Sequence, residues 1–227
     1  MMTGRVQRVD ARANRERILD VAEDVFGTGG KAASTEEVAR RAGVGIATVF
    51  RHFPTKAALV EAVLVRRFDR LRTRAETLLA APGAGPAFYG FFTELVADAA
   101  TKIAIGEALH DLAGDDGAGE AMAASLALRR TFGTLLQQAQ RAGAVRDDAE
   151  LPEVYALLVA TSRAASQPHI DEDVRTRMLA IVFDGLAGKP QDGARPHGLR
   201  SSDRQTGRSG VQGVMIAGAP SAPDRRP

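Results

Sequence analysis

Ser34-Thr-Glu-Glu-Val-Ala-Arg-Arg-Ala-Gly43-Val-Gly45-Ile-Ala-Thr-Val-Phe-Arg-His52-Phe-Pro54-Thr-Lys-Ala-Ala-Leu59 holds two short helices joined by a glycine turn and the start of a third. Ser34 can cap the first helix and Glu37, three residues on, can reach back to it, the capping-box pattern. Val38 and Ala39 give that helix a small buried face, and Gly43 ends it by supplying a left-handed residue. Val44 plugs the corner. Gly45 frees the chain to begin a second helix through about His52, and Pro54 stops it, because proline disfavours helical geometry in the residue before it. Thr55 caps the third.

Two helices meeting steeply across a three- to four-residue glycine turn form either an ordinary hairpin in a bundle or a helix-turn-helix whose second helix enters the DNA major groove. The residue order separates the two. Val38-Ala39, Ala42-Gly43-Val44, the run Thr48-Val49-Phe50-Arg51-His52-Phe53-Pro54-Thr55-Lys56 and Leu59 together resemble the DNA-binding domain of the tetracycline-repressor (TetR) family of bacterial regulators, over about Asn14 to Val63.

Side-chain reach assigns roles within the motif. The reading helix offers its N-terminal residues to base edges, which nominates Gly45, Ile46, Ala47, Thr48 and Arg51. The Arg51 guanidinium can pair bidentately with guanine O6 and N7, and Ile46 and Ala47 can meet thymine methyls. Ser34 and Thr35 place hydroxyls and free amides where a phosphate can sit. The resemblance implies that His52 and Lys56 flank the opposite phosphate backbone; His52 also reads as a core histidine. Arg40 and Arg41 read as solvated or distant phosphate partners. Phe50 stands where the family usually has tyrosine, leaving packing without a phenolic hydrogen bond, and Gly45 stands where a serine or threonine usually caps, a loss of a few tenths of a kcal/mol.

The 227 residues carry 30 Lys and Arg against 28 Asp and Glu. Residues 1–80 hold 15 basic against 10 acidic side chains, residues 81–188 hold 8 against 15, and residues 189–227 hold 7 against 3. A basic first third and an acidic middle suit a chain whose first part alone faces phosphate. There is no cysteine, so no disulfide or thiolate site. No long apolar run or signal-peptide pattern occurs, which predicts a cytoplasmic protein without a membrane partner. His52, His110, His169 and His197 are scattered, and no serine sits in a nucleophile elbow, so the reading is of a non-enzyme with no cofactor and no metal.

Along the chain, Met1 to Ala11 reads as a disordered arm with Arg5, Arg8 and Arg12 spaced along it; it either reaches along DNA phosphates or into the minor groove, or is a frayed terminus without a role. Ile18, Val21, Ala22, Val25 and Phe26 form the buried stripe of a helix from Arg12 to Phe26 that Gly27, Gly29 and Gly30 end. Residues 12–58 are the expected DNA-binding domain. A helix from Thr55 to about Ala80, about 39 Å long, leads into residues 59–187, expected to bind an effector and dimerise. The Pro- and Gly-rich break at 81–86 precedes helices over about 87–104, 117–141, 151–166 and 171–186, with 105–116 short or irregular. The fold class is all-α, about nine helices: a three-helix N-terminal domain and a larger C-terminal bundle.

The resemblance implies a small-molecule effector pocket in that bundle, for which the candidates are Phe88, Phe92, Leu95, Leu109, His110, Met122, Leu126 and Phe132. It also favours a homodimer through the last two helices, with Val154, Leu158, Thr161, Val174, Met178, Ile181 and Val182 at the interface, and therefore a palindromic operator in double-stranded DNA. Residues 188–227, rich in Gly, Pro and Arg, read as a disordered tail.

Overall fold

The computed structural model describes residues 3–29, 32–113 and 119–188, with the side chains of residues 3–9 excepted. Nine α-helices lie among them: α1 (Thr3–Gly29), α2 (Thr35–Ala42), α3 (Ile46–His52), α4 (Lys56–Ala80), α5 (Ala84–Ala97), α6 (Ala99–Ala113), α7 (Gly119–Arg141), α8 (Leu151–Ala165) and α9 (Glu172–Leu186). The fold is all-α, as the sequence implies.

Local chemistry starts and stops the first helices where it should. The Ser34 hydroxyl accepts the Glu37 amide at 3.2 Å. Gly43 closes α2 with φ 66° and ψ 33°, and the Val44 amide reaches the Ala39 carbonyl at 3.0 Å. Phe53 is extended ahead of Pro54, and the Thr55 hydroxyl takes the Ala58 amide at 3.0 Å. One half of the capping box is missing: Glu37 gives its carboxylate to Arg40 at 2.6 and 2.8 Å and not to the Ser34 amide, because a charged bidentate partner one turn away is stronger than a neutral amide.

Two boundaries need correction. Residues 1–11 were expected to be a disordered arm, yet α1 begins at Thr3. The absence of an apolar stripe before Ile18 reports on packing, not on helix formation, and no proline or later glycine interrupts Val6 to Ala13. At the other end α1 runs through Gly27 to Gly29; a Cβ on Gly27 would lie 2.6 Å from Thr101 Cγ2, so this glycine brings α1 and α6 together instead of ending the helix. The expected helix over 87–104 divides at Asp98, and α6 then continues regularly to Ala113. The start of α7 is fixed by Glu61, whose carboxylate accepts the Glu120 and Ala121 amides at 3.0 and 3.3 Å.

The main core lies in the second bundle, where Phe88, Phe91 and Phe92 of α5 meet Phe132, Leu135 and Leu136 of α7, with Val154 and Leu158 of α8 and Leu179 and Leu186 of α9. α4 rests against α1, α5, α6 and α7, so one helix serves both bundles. The end of α9 is tied to the turn after α7: the Arg146 amide donates to the Leu186 carbonyl at 2.9 Å and the Gly188 amide to Ala144 at 3.2 Å. The expectation of a disordered tail falls, beyond Gly188, outside the described residues.

Candidate nucleic-acid interface

α3 is anchored from one side and open on the other. Val49 is fully buried and Phe53 nearly so, holding the helix against the three-helix unit. Gly45, Ile46, Ala47, Phe50 and Arg51 are exposed, and Thr48 is half-buried between the faces. Ile46 at 37% and Phe50 at 42% are large apolar side chains left in water on a seven-residue helix. Among the described residues Arg51 makes no ion pair, in contrast to Arg40, bound to Glu37, and Arg41, 3.5 Å from Asp24. A free guanidinium beside apolar side chains on one helix face can read guanine and thymine in a major groove.

The flanks are less free than the sequence implies. His52 is half-buried, its ring 6.3 Å from Phe53. The Lys56 ammonium lies 5.7 Å from the centre of the Phe26 ring, so its stem packs on α1 while its charge stays at the start of α4. Thr35 is buried, with its hydroxyl 3.4 Å from Glu36 Oε2, so it offers a phosphate its amide alone. Glu36 also occupies that end of α2: hydrogen bonds from its own amide and then from Ser34 hold its carboxyl below the usual range.

An ion-pair lattice joins α4 to α1 and to the α5–α6 break. Arg67 of α4 is buried, and it binds Glu23 of α1 on one side and Asp98, at the α5–α6 break, on the other; its Nε meets Asp98 Oδ2 at 2.8 Å. Arg66 reaches Asp20 at 2.8 Å and Glu23 at 3.1 Å, and Arg70 reaches Glu23 at 2.5 Å. Burial alone would raise the Glu23 carboxyl, but the Arg70 hydrogen bond and the charges of Arg70 and Arg67 outweigh it and hold the group below the usual carboxylate value. Lys102 nearby is pushed down by burial, against the pull of Asp98. The spacing Glu16, Asp20, Glu23 on α1 was the available signal, since it places three carboxylates on one helical stripe.

The eight residues expected to line an effector pocket differ in burial. Phe88, Phe92, Leu95 and Phe132 lie in the core, with the Phe132 ring centre 5.5 Å from Phe88 and 6.2 Å from Phe92. Leu109 is buried on α6, His110 and Met122 are half-buried, and Leu126 is exposed. A cleft of about 520 Å³ lies elsewhere, between α1 and α4, floored by Leu19, Ala62 and Val65. Of the seven expected interface residues, Val154, Leu158 and Thr161 face the chain's own interior and require correction. Leu157, one position from Leu158, takes the outer face of α8 at 42% exposure. On α9, Ile181 stands 73% exposed, with Val174, Met178 and Val182 half-buried around it. Alternation along a helix did not reveal which face met the bundle. Among the described residues, no three His, Asp or Glu converge on a metal-sized site, and no helix is long and apolar enough to cross a membrane.

Residues 18–63 match the family described as bacterial regulatory proteins, tetR family, and residues 83–188 match the transcriptional regulator SbtR-like C-terminal domain. A crystal structure of a TetR transcription regulatory protein from Mycobacterium vanbaalenii is similar at 41% identity with a TM-score of 0.66, covering 80% of this chain and 99% of that one. The HTH-type transcriptional repressor KstR of Rhodococcus jostii is 36% identical over 76 residues, 33% of this chain and 34% of its own length. An HTH-type transcriptional regulator of Staphylococcus aureus is 32% identical over 78 residues, 34% of this chain and 41% of its own. The chain thus spans well under half the length of these curated relatives. A helix-turn-helix with an open reading face, a matching C-terminal domain and a relative aligned along nearly its whole length lead to one conclusion: the chain belongs to the TetR family of transcriptional regulators.

Proposed function

We propose that this regulator is a repressor that binds a palindromic operator as a homodimer and leaves it when a small molecule occupies the second bundle. The observation that carries the DNA reading is the open face of α3, where Ile46, Ala47, Phe50 and Arg51 are exposed together beside the buried anchor Val49. Arg51 reads a base, Ile46 and Ala47 contact methyl groups, Gly45, Thr48 and Phe50 pack along the groove, and Ser34, the Thr35 amide, His52 and Lys56 meet phosphates. Repression is favoured by the relatives named repressors. Dimerisation is supported by the apolar outer surface of α8 and α9, with Leu157 and Ile181 at its most exposed points.

Release follows from the lattice. Arg67 holds α1 and the α5–α6 break through one guanidinium, so a ligand that moves α6 also turns the reading unit. Converting a mostly competent population into a mostly incompetent one takes about 5.5 kcal/mol of differential affinity. The close contacts of Phe88, Phe92 and Phe132 favour a second reading, DNA binding with no effector.

The test is binding of the purified protein to DNA from upstream of its own gene, for wild type and Arg51→Ala across a salt series. Selection of one palindromic site, lost in Arg51→Ala with an unchanged salt slope, supports the regulator reading and the base contact. Absence of any preferred site, there and in a genome-wide selection, would sink it. A compound that dissociates the complex separates the ligand-responsive reading from the second one.

A further inference from the structure

The start of a helix leaves amides without a partner inside the helix, and in this chain the partner is usually a near neighbour. Ser34 serves α2, Thr55 serves α4 and Asp171 serves α9, each accepting the amide three residues on. α7 is different. Positions 117–119 read Gly-Ala-Gly and carry no side-chain acceptor. Two of the first amides of α7, on Glu120 and Ala121, donate instead to the carboxylate of Glu61, 59 residues before Glu120, at 3.0 and 3.3 Å. Glu61 lies on α4 inside the first matched stretch, residues 18–63, whereas Glu120 and Ala121 lie inside the second, residues 83–188. A helix of one domain is thus started by a carboxylate of the other.

The bond pair is of the strong kind, because a charged acceptor meets two amides at the positive end of a helix. Its place on α4 gives it mechanical meaning. Glu61 and Arg67 stand six residues apart, about 9 Å along the axis and about 120° around it. The apolar packing of Val60, Val63 and Leu64, all buried, is non-directional and lets a helix tilt, whereas directed bonds at two separate points fix its direction. Held by the Arg67 lattice alone, α4 is free to turn about one point. A turn of about 10° there carries Lys56, at the start of α4, through about 3 Å. Lys56 follows the end of the reading helix, His52, by four residues.

We propose that Glu61 is a positioning residue: its hold on the start of α7 fixes the tilt of α4 at which α3 meets the operator, and a small molecule that shifts α7 acts on DNA by breaking that hold. The inference rests on the regulator reading and names its transmission. Linkage makes the effect reciprocal. Whatever frees the start of α7 lowers operator affinity, and operator DNA in turn tightens the two bonds.

The test uses the full chain as wild type, Glu61→Gln, Glu61→Ala and the double variant Glu61→Ala, Ala118→Asp, in which a carboxylate just ahead of α7 in sequence offers its amides a local acceptor. Well below melting, hydrogen exchange is read at the Glu120 and Ala121 amides, and affinity is read for the operator that wild type selects and for a long random duplex; melting temperature is measured alongside. Glu61→Ala should speed exchange at both amides about tenfold or more and lower operator affinity about fivefold or more. Affinity for random DNA and the salt slope should not change, because no phosphate contact is lost. Glu61→Gln, which keeps an acceptor without its charge, should fall between. The double variant should regain the exchange rates and melting temperature of wild type but not its operator affinity, which separates a tie between domains from a cap. Operator DNA should slow exchange at both amides in wild type. Wild-type operator affinity in Glu61→Ala would overturn the proposal, as would a higher affinity, or full recovery of affinity in the double variant. Failure of the regulator reading is told apart by wild type itself selecting no site, in upstream DNA or a genome-wide pool, and takes the proposal with it.

Discussion

α3 and α5 are both short helices rich in apolar residues, and they spend them in opposite ways. α3 leaves Ile46 and Phe50 in water and buries only Val49, whereas α5 buries Phe88, Phe91 and Phe92 completely. The first is held at the surface by its neighbours: Gly43 and Pro54 fix where it starts and stops, and one anchor suffices to seat it. The second exists only through what it meets, since a run of aromatic side chains has no place to go but against α7, α8 and α9.

The largest effect that could break this contrast comes from the interior. Phe132→Ala removes the ring shared by Phe88, Phe91 and Phe92 and should cost about 3–5 kcal/mol, read as a lower denaturation midpoint. DNA affinity measured well below that midpoint should stay within twofold of wild type. If the midpoint barely moves, the centre has room to collapse and the bundle is looser than its contacts imply.

Next in size is the tie between the two regions. Arg67→Ala removes the cation that Glu23 and Asp98 share, while Arg66 and Arg70 stay on Glu23, and should cost about 2–3 kcal/mol. Its acid profile carries a sign that can be checked. The Glu23 carboxyl is lowered from its ordinary 4.5 in the folded protein, so its stabilisation is complete above that value and disappears as pH falls through the lowered one. Melting temperature should therefore drop on acidification from pH 5 to pH 3 more steeply in wild type than in Glu23→Gln. Parallel curves would show that the lattice adds no stability.

The contrast also explains what the sequence made legible. Start and stop residues such as Ser34, Gly43, Pro54 and Thr55 act within one turn, so α2, α3 and the start of α4 could be located from order alone, and with them the open positions 45–47, 50 and 51. Arg67 could not be found that way, because its partners are 44 residues back and 31 forward, and neither is a local neighbour. Val154 and Leu158 are a related case: α8 has apolar residues on more than one face, and the packing of α5, α6, α7 and α9 decides that Leu157 points out. Before Arg12, helix formation needs no apolar stripe, so nothing in the pattern announces that α1 starts at Thr3.

On the reading face itself, Arg51→Lys keeps the charge and removes the fork. It should relax discrimination at one base pair by about 1–3 kcal/mol while leaving the salt slope and the melting curve as they are. A change confined to the slope would move Arg51 from the base edge to the phosphate backbone.

The smallest expected effect has the opposite sign, and it comes from a side chain that competes with DNA. Glu36 folds onto its own amide and the Ser34 hydroxyl at the start of α2, where a phosphate would otherwise approach, and it feels the charge of Lys56. Glu36→Gln keeps the shape and removes the charge, so operator binding should tighten about two- to fivefold at low salt, the scale of one charge at a helix N-terminus. The gain should fade as added salt screens it. Because a negative charge there also favours α2, the same variant should melt slightly earlier, so affinity and stability move in opposite directions. A carboxylate reading a cytosine amine would instead make Glu36→Gln weaken binding at one operator position only. In that case the start of α2, and not α3 alone, would carry sequence information.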